Sequence, residues 1–427
     1  MNAALLSLEQ TPPLSVPFRF FLTAPLFGIL GGLFLLYDGS LVFNNRWHPD
    51  SLAMVHLFTL GFITMVMFGA ILQLLPVLMV SPVPRPVLVS TVLHILLTLG
   101  TLSLVLAFVS GQAWLMLCAV VLLGLSFVLF ISIVAYCLIR IKTRNAIFTA
   151  MGLALSGLLV TVVLGIGLAM FLGLVITLPL PLVLTDLHLT WGLVGWIALL
   201  VMSVAYQVVP MFQITPEYPP TLTRWLIPLI FIILLVWTPL YILANLNKIP
   251  VFVPQLLIGL MGVGLSVFAI VTLNIQARRL RKLPDVTLNY WRVGMVGLLL
   301  SVILAVLSLS PVFLVVLFIG GFVLPVIQGM LYKITPFLVW LHLQNQRVNL
   351  GIKIPNMKQV ISDRQARRQF WVYLVALGLL MGAVLGPFYV SYAAGIALIC
   401  SFLLLAYDLY SALRLYKSVS RKIMASR

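Results

Sequence analysis

Apolar stretches of twenty residues or more follow one another along the chain, separated by short polar breaks. Stretches of that length cross the roughly 30 Å apolar core of a bilayer as helices. The strict alternation of a membrane barrel strand is missing. Bounded by charges, prolines and asparagines, the pattern predicts twelve spans. They run roughly over 17–43, 51–80, 87–109, 113–140, 147–177, 186–212, 224–245, 250–275, 288–309, 312–334, 369–388 and 390–412. Breaks such as SPVPRP (81–86) and PEYPP (216–220) end helices, because proline lacks an amide donor and restricts the residue before it. The predicted fold is an all-α polytopic membrane protein, a single transmembrane domain over 1–427.

Three of the spans share a pattern. Span 2 reads HLFTLGFITMVMFGAILQLLPVL from His56, span 6 HLTWGLVGWIALLVMSVAYQVVPMF from His188, and span 10 GFVLPVIQGMLYKITPFLVW from Gly321. Gly61, Gln73 and Pro76 are spaced as Gly195, Gln207 and Pro210 are, and as Gly321, Lys333 and Pro336 are; an aromatic residue follows each glycine. The motif returns every four spans, so the repeats are parallel. They predict three pseudo-symmetric four-helix units, about 17–140, 147–275 and 288–412, around an axis along the membrane normal. In each unit the glycine admits a close neighbour, the polar residue sits near the inner end, and the proline stops the helix.

Composition agrees with the pattern. Only 8% of residues are charged, 63% are hydrophobic and the mean hydropathy is +1.21. Soluble domains carry about 25% charge, so a soluble enzyme, a nucleic-acid-binding domain and a disordered chain are excluded. The net charge of +17 is a topology signal rather than a nucleic-acid footprint. With the N-terminus inside, 21 of the 25 Lys and Arg fall on one flank, Arg46 and Lys248 fall on the other, and Arg292 and Lys333 lie within spans. The positive-inside rule then places both termini in the cytoplasm of a bacterial-type inner membrane. The basic loop 344–368 is cytoplasmic and lies on anionic headgroups. No removable signal peptide is read at the N-terminus. Cys118, Cys137 and Cys400 sit in apolar runs with no paired spacing, so they predict neither disulfides nor a metal site.

Polar residues within spans are costly and are often functional. On the outer side lie Asp38, His48, Asp50, His56, Asp186 and His188. Imidazole with carboxylate suits zinc, copper or iron, and the candidate metal ligands are His56, His188, Asp186 and Asp38. If the segment is helical, Asp186 and His188 point about 200° apart and do not chelate one ion; if extended, they share a face. His48 and Asp50 read as loop residues, and Asp50 and Asp186 as helix caps. For His56 and His188 a ligand role and an interfacial polar role stay equally open. His94 reads as a buried histidine with one hydrogen-bond partner, and His342 as interfacial beside Trp340. Lys333 snorkels to the inner headgroups, and Asp408 is a solvated end or a local ion pair. No Ser–His–Asp set, phosphate loop or HExxH motif is present.

Twelve spans, inside termini, repeats of four, and the stretches HLFTLGFITMVMFGAILQLLPV and DLHLTWGLVGWIALLVMSVAYQVVP together resemble the large subunit of the haem-copper oxidase and nitric oxide reductase superfamily. The likeness is strongest to its divergent relatives, with NnrS-type haem proteins as the named comparison. The resemblance implies haem b, with copper or another transition metal, as cofactor, and makes His56 and His188 the cofactor-binding residues. His56 stands where the family's span 2 supplies a haem ligand, and His188 where span 6 supplies a copper ligand. The family's histidine pair in span 7 and the two early histidines of span 10 have no counterpart in 224–245 or 311–332. The implied protein is therefore a membrane haem- or metal-binding protein without a complete haem-copper centre, and not an oxygen reductase by itself. Its partners are the lipid bilayer and a cytochrome or copper protein, with no nucleic acid. Two other readings stay open: a twelve-span secondary transporter, and an accessory subunit of a membrane redox complex.

Overall fold

In a computed structural model, residues 11–79, 81–141, 145–280, 282–307, 310–346 and 353–425 are described. Lys142, Arg144, Arg281, Arg347 and Arg427 of the basic flank, and residues 347–352 of the basic loop, lie outside the described residues. Twelve helices long and apolar enough to cross a membrane stand in the described chain. They are α1 (Ser15–Asp38), α2 (Pro49–Val77), α3 (Pro86–Ser110), α4 (Ala113–Ile139), α5 (Ala146–Leu172) and α6 (Pro181–Gln213). After them come α7 (Pro220–Asn245), α8 (Phe252–Ala277), α9 (Val286–Val306), α10 (Pro311–Gln346), α11 (Asp363–Leu385) and α12 (Tyr389–Ala425). No strand occurs among the described residues.

The breaks act as the sequence predicts. Pro86 opens α3, and Pro219 and Pro220 cap and open α7, where their missing amides cost nothing. The repeat prolines behave otherwise. Pro76, Pro210 and Pro336 lie inside their helices, and α10 runs ten residues beyond Pro336 to Gln346. Membrane helices carry such prolines because neighbouring groups satisfy the freed carbonyls. The expectation that these prolines stop their helices is corrected.

α2, α6 and α10, the three repeat-bearing spans, are also the most buried. Of the most apolar 18 residues of each, 72% are buried, against at most 50% in every other span. Each of the three departs from α-helical winding in one place. π-helical segments cover Leu57–Thr64, Trp191–Ala198 and Leu317–Val323. The aligned glycines Gly61, Gly195 and Gly321 each occupy the fifth position of their segment.

The described chain forms two compact units. One holds the described residues of Met1–Thr101, Pro284–Gly294 and Pro311–Arg427; the other holds Leu102–Leu283 and Met295–Ser310. In the first, α1 packs on α12 and α2, and α12 packs also on α10 and α11. In the second, α5 packs on α4, α6 and α7, and α7 packs on α8. Between helices in lipid the hydrophobic effect gives little, so close packing and hydrogen bonds hold each unit together. At one crossing in the second unit a Cβ on Gly157 would lie 2.1 Å from the carbonyl oxygen of Gly195. Only glycine permits that approach of α5 to the π segment of α6.

Polar side chains in the first unit form a buried network. Asp408 of α12 has no exposed side-chain surface. It accepts from Tyr332 Oη at 2.9 Å and from Gln365 Nε2 at 3.0 Å, with Arg368 Nη2 3.8 Å away. This replaces the solvated end expected for Asp408. Gln369 donates to Gln328 at 2.7 Å and to Ser401 Oγ at 3.0 Å, and accepts from Tyr290. Lys333 does not snorkel alone: it pairs with Asp285 at 2.7 Å. The described end of the basic loop is ordered by two capping boxes, Asn356 with Gln359 and Ser362 with Gln365.

Candidate functional site

His56 lies in the first turns of α2, one residue before the π segment. Its Nδ1 is 2.7 Å from the carbonyl oxygen of Leu52 in the preceding turn. That hydrogen bond needs a proton on Nδ1, which leaves the lone pair on Nε2. Aromatic rings crowd the turn that follows: Phe58 and Phe62 both pack on Phe402 of α12.

His188 is held the same way by a neighbouring helix. Its Nδ1 lies 3.0 Å from the carbonyl oxygen of Thr161 in α5. Gly165, one turn further along α5, leaves room for the ring: a Cβ there would sit 2.8 Å from His188 Cε1. Thr161 turns its own hydroxyl onto the Gly157 carbonyl at 2.8 Å. Gly157, Thr161 and Gly165 therefore make a stripe of small residues at four-residue spacing, along which α6 lies. Sequence reasoning missed this stripe, although the small-xxx-small spacing that carries it is legible.

In both histidines a backbone carbonyl takes the Nδ1 proton. Metal-ligating histidines almost always donate their other ring N–H to such an acceptor, which fixes tautomer and orientation. The donor set thus fits Nε2 coordination of haem iron or of a borderline transition metal.

The remaining candidates go elsewhere. The 181–190 segment is helical, so the extended alternative for Asp186 and His188 falls away. Asp186 accepts from Tyr241 Oη of α7 at 2.7 Å, while His188 faces α5. The two side chains do not converge, and Asp186 sits within the helix rather than capping it. Asp38 is brought together with His48 and Asp50 at the junction of α1 and α2, with one ligating atom of each inside 4.8 Å of the others. His48, not Asp50, holds the N-cap position of α2. His94 Nε2 meets Thr23 Oγ1 at 2.8 Å, as a structural histidine does. Both ring nitrogens of His342 are used, on the carbonyls of Leu338 at 2.8 Å and Pro12 at 3.0 Å.

No family model and no curated protein matches this sequence. Among solved structures, the chain is similar to a haem-copper terminal oxidase whose dimer was determined by cryo-EM. The identity is 15%, the match covers 96% of this chain and 84% of that one, and the TM-score is 0.58. At that identity the likeness is one of fold. The protein is a multi-pass, all-helical membrane protein with a haem-copper oxidase-like fold.

Proposed function

We propose that the protein is a haem- or transition-metal-binding membrane protein in which His56 and His188, each within its own unit, are cofactor ligands. One observation carries the reading. In the outer turns of two deeply buried repeat spans of a haem-copper oxidase-like fold, both imidazoles have Nδ1 anchored on a backbone carbonyl. Haem or copper would supply one-electron chemistry or the binding of a small diatomic ligand. The chain itself fixes the tautomers, through Leu52 and Thr161, and makes room for the His188 ring at Gly165. Asp186, two residues from His188, is oriented by Tyr241 of α7.

The five histidines are His48, His56, His94, His188 and His342. α7 carries none, and α10 carries only His342 at its far end. The protein therefore lacks a complete haem-copper centre and does not reduce oxygen by itself. It acts with a cytochrome or copper-protein partner, in an inner membrane, with both termini in the cytoplasm. The three four-helix units belong to the same proposal, with α2, α6 and α10, the most buried spans, as their equivalent members.

The test is an absorption spectrum with elemental analysis on the full chain purified in mild detergent. A Soret band or a stoichiometric transition metal is expected, diminished in His56→Ala and in His188→Ala. Colourless, metal-free protein from haem-replete cells overturns the reading.

A further inference from the structure

The junction between α1 and α2 assembles a second set of metal-ligating groups. Asp38 is the last residue of α1, and Gly39, at φ 63°, turns the chain immediately after it. The turn is pinned from the α2 side. Ser51 Oγ lies 2.5 Å from the Val42 carbonyl and 2.7 Å from that of Asn45, and the His48 amide donates to Asn45 at 3.0 Å. The result sets His48 and Asp50 against Asp38, with one ligating atom of each within 4.8 Å of the other two.

Two further features point to a ligand. Asp38 Oδ2 is shielded from solvent and receives no hydrogen bond. His48 Nδ1 is also shielded and lies 3.0 Å from Asp50 Oδ2, yet the two do not make a hydrogen bond. With the ring protonated the two pair as ions; with the ring neutral and its proton on Nε2 they turn lone pairs toward each other, a contact that one shared cation relieves. With metal–ligand distances of about 2.1 Å, tetrahedral neighbours lie about 3.4 Å apart. The His48–Asp50 pair, at 3.0 Å, lies slightly inside that spacing, and the three ligating atoms all lie within 4.8 Å of one another. The His48 side chain is 41% exposed, so an ion reaches the site from water.

The geometry points to a divalent transition-metal site formed by Asp38, His48 and Asp50, of the zinc class. One imidazole with two carboxylates favours a borderline first-row ion over calcium, which takes six to eight oxygens. The site takes up the metal half of the functional reading but uses none of its haem ligands, and it moves Asp38 into a set of its own. His48 and Asp50 cease to be plain loop residues.

The test is titration of the purified full chain with Zn2+, with Co2+ as the spectroscopic probe. One equivalent is expected to bind, with cobalt d–d bands, and affinity is expected to fall at least tenfold in His48→Ala and in the double variant Asp38→Asn, Asp50→Asn. Zinc is expected to raise the thermal midpoint of the parent and of His56→Ala alike, but not of the His48 variant. Calcium in excess is expected not to displace zinc. Equal zinc affinity in the parent and both junction variants overturns the site, as does zinc binding that follows His56 instead of His48. Because the haem spectrum is read in the same preparations, its absence with zinc binding retained removes the functional reading alone. Melting without metal separates misfolded variants, and in that event His48→Gln, which keeps size and polarity, carries the comparison.

Discussion

A single contact often decides what a residue in this protein does. Gly165 is small because the His188 ring occupies the space a side chain would need. Gly165→Val is expected to displace the imidazole and lower haem or metal content at least twofold, read from absorbance and elemental analysis. Gly167→Val on the same helix, where a Cβ would meet nothing within 4 Å, is expected to leave content unchanged. At the basic end, desolvation pushes the Asp285 carboxyl up, but attraction to Lys333 and hydrogen bonds from Thr287 outweigh it, so its pKa falls below the ordinary aspartate value. The folded state then holds that proton less tightly than the unfolded chain. The pair's stabilisation is present above about pH 4 and is lost as pH falls through the folded value. Acidification from about pH 5 to pH 3 is expected to lower the thermal midpoint of the parent more than that of the double variant Asp285→Asn, Lys333→Met. Lys333→Met alone leaves a carboxylate without its partner. It is expected to cost about 1–2 kcal/mol near neutral pH, moderated by the partial exposure of both side chains.

Among the elements, the three repeat spans differ from the other nine in both winding and burial. A π segment inserts an extra residue into the turn and frees a carbonyl, and such segments gather at functional sites. At Leu317–Val323 the Tyr373 hydroxyl donates to the Gly320 carbonyl from α11. Tyr373→Phe is expected to cost about 1 kcal/mol, the worth of one such hydrogen bond, seen as a lowered thermal midpoint in detergent. At Trp191–Ala198 the stabilising feature is backbone approach instead. Gly157→Ala places a methyl against the Gly195 carbonyl, a backbone atom that cannot yield as a flexible side chain does. It is expected to cost about 3 kcal/mol, against no measurable change for Gly152→Ala, where the space is open. The glycines of the repeat were legible in the sequence. The π winding was not, because it follows from how neighbouring helices accommodate the backbone rather than from any residue type.

For the molecule as a whole, the arrangement of charge sets orientation. α12 has 37 residues, about 55 Å of helix against an apolar core of about 30 Å. The excess carries Arg414, Lys417, Arg421 and Lys422, and under the proposed orientation it extends past the apolar core on the cytoplasmic side. The hydrophobic pattern had closed this span at 412, since apolarity ends there although backbone hydrogen bonding does not. A green fluorescent protein fused to the C-terminus is expected to fluoresce, and an alkaline phosphatase fused there to be inactive. The reverse pair of results would invert the topology.

The hydrophobic pattern alone determined the number of spans and their rough limits, because the bilayer demands a continuous apolar run and imposes little else. The spacing of glycine, polar residue and proline marked α2, α6 and α10, which the structure then made the most buried helices. Sequence also put His56 and His188 at the openings of two of them. Side-chain direction needed tertiary contacts. Helical winding sent Asp186 to Tyr241 and His188 to Thr161. The turn at Gly39 drew Asp38 to His48 and Asp50, and packing buried Asp408 beneath Tyr332 and Gln365. Local pattern fixes which face is apolar, whereas the partner of a polar group depends on distant segments brought near by folding.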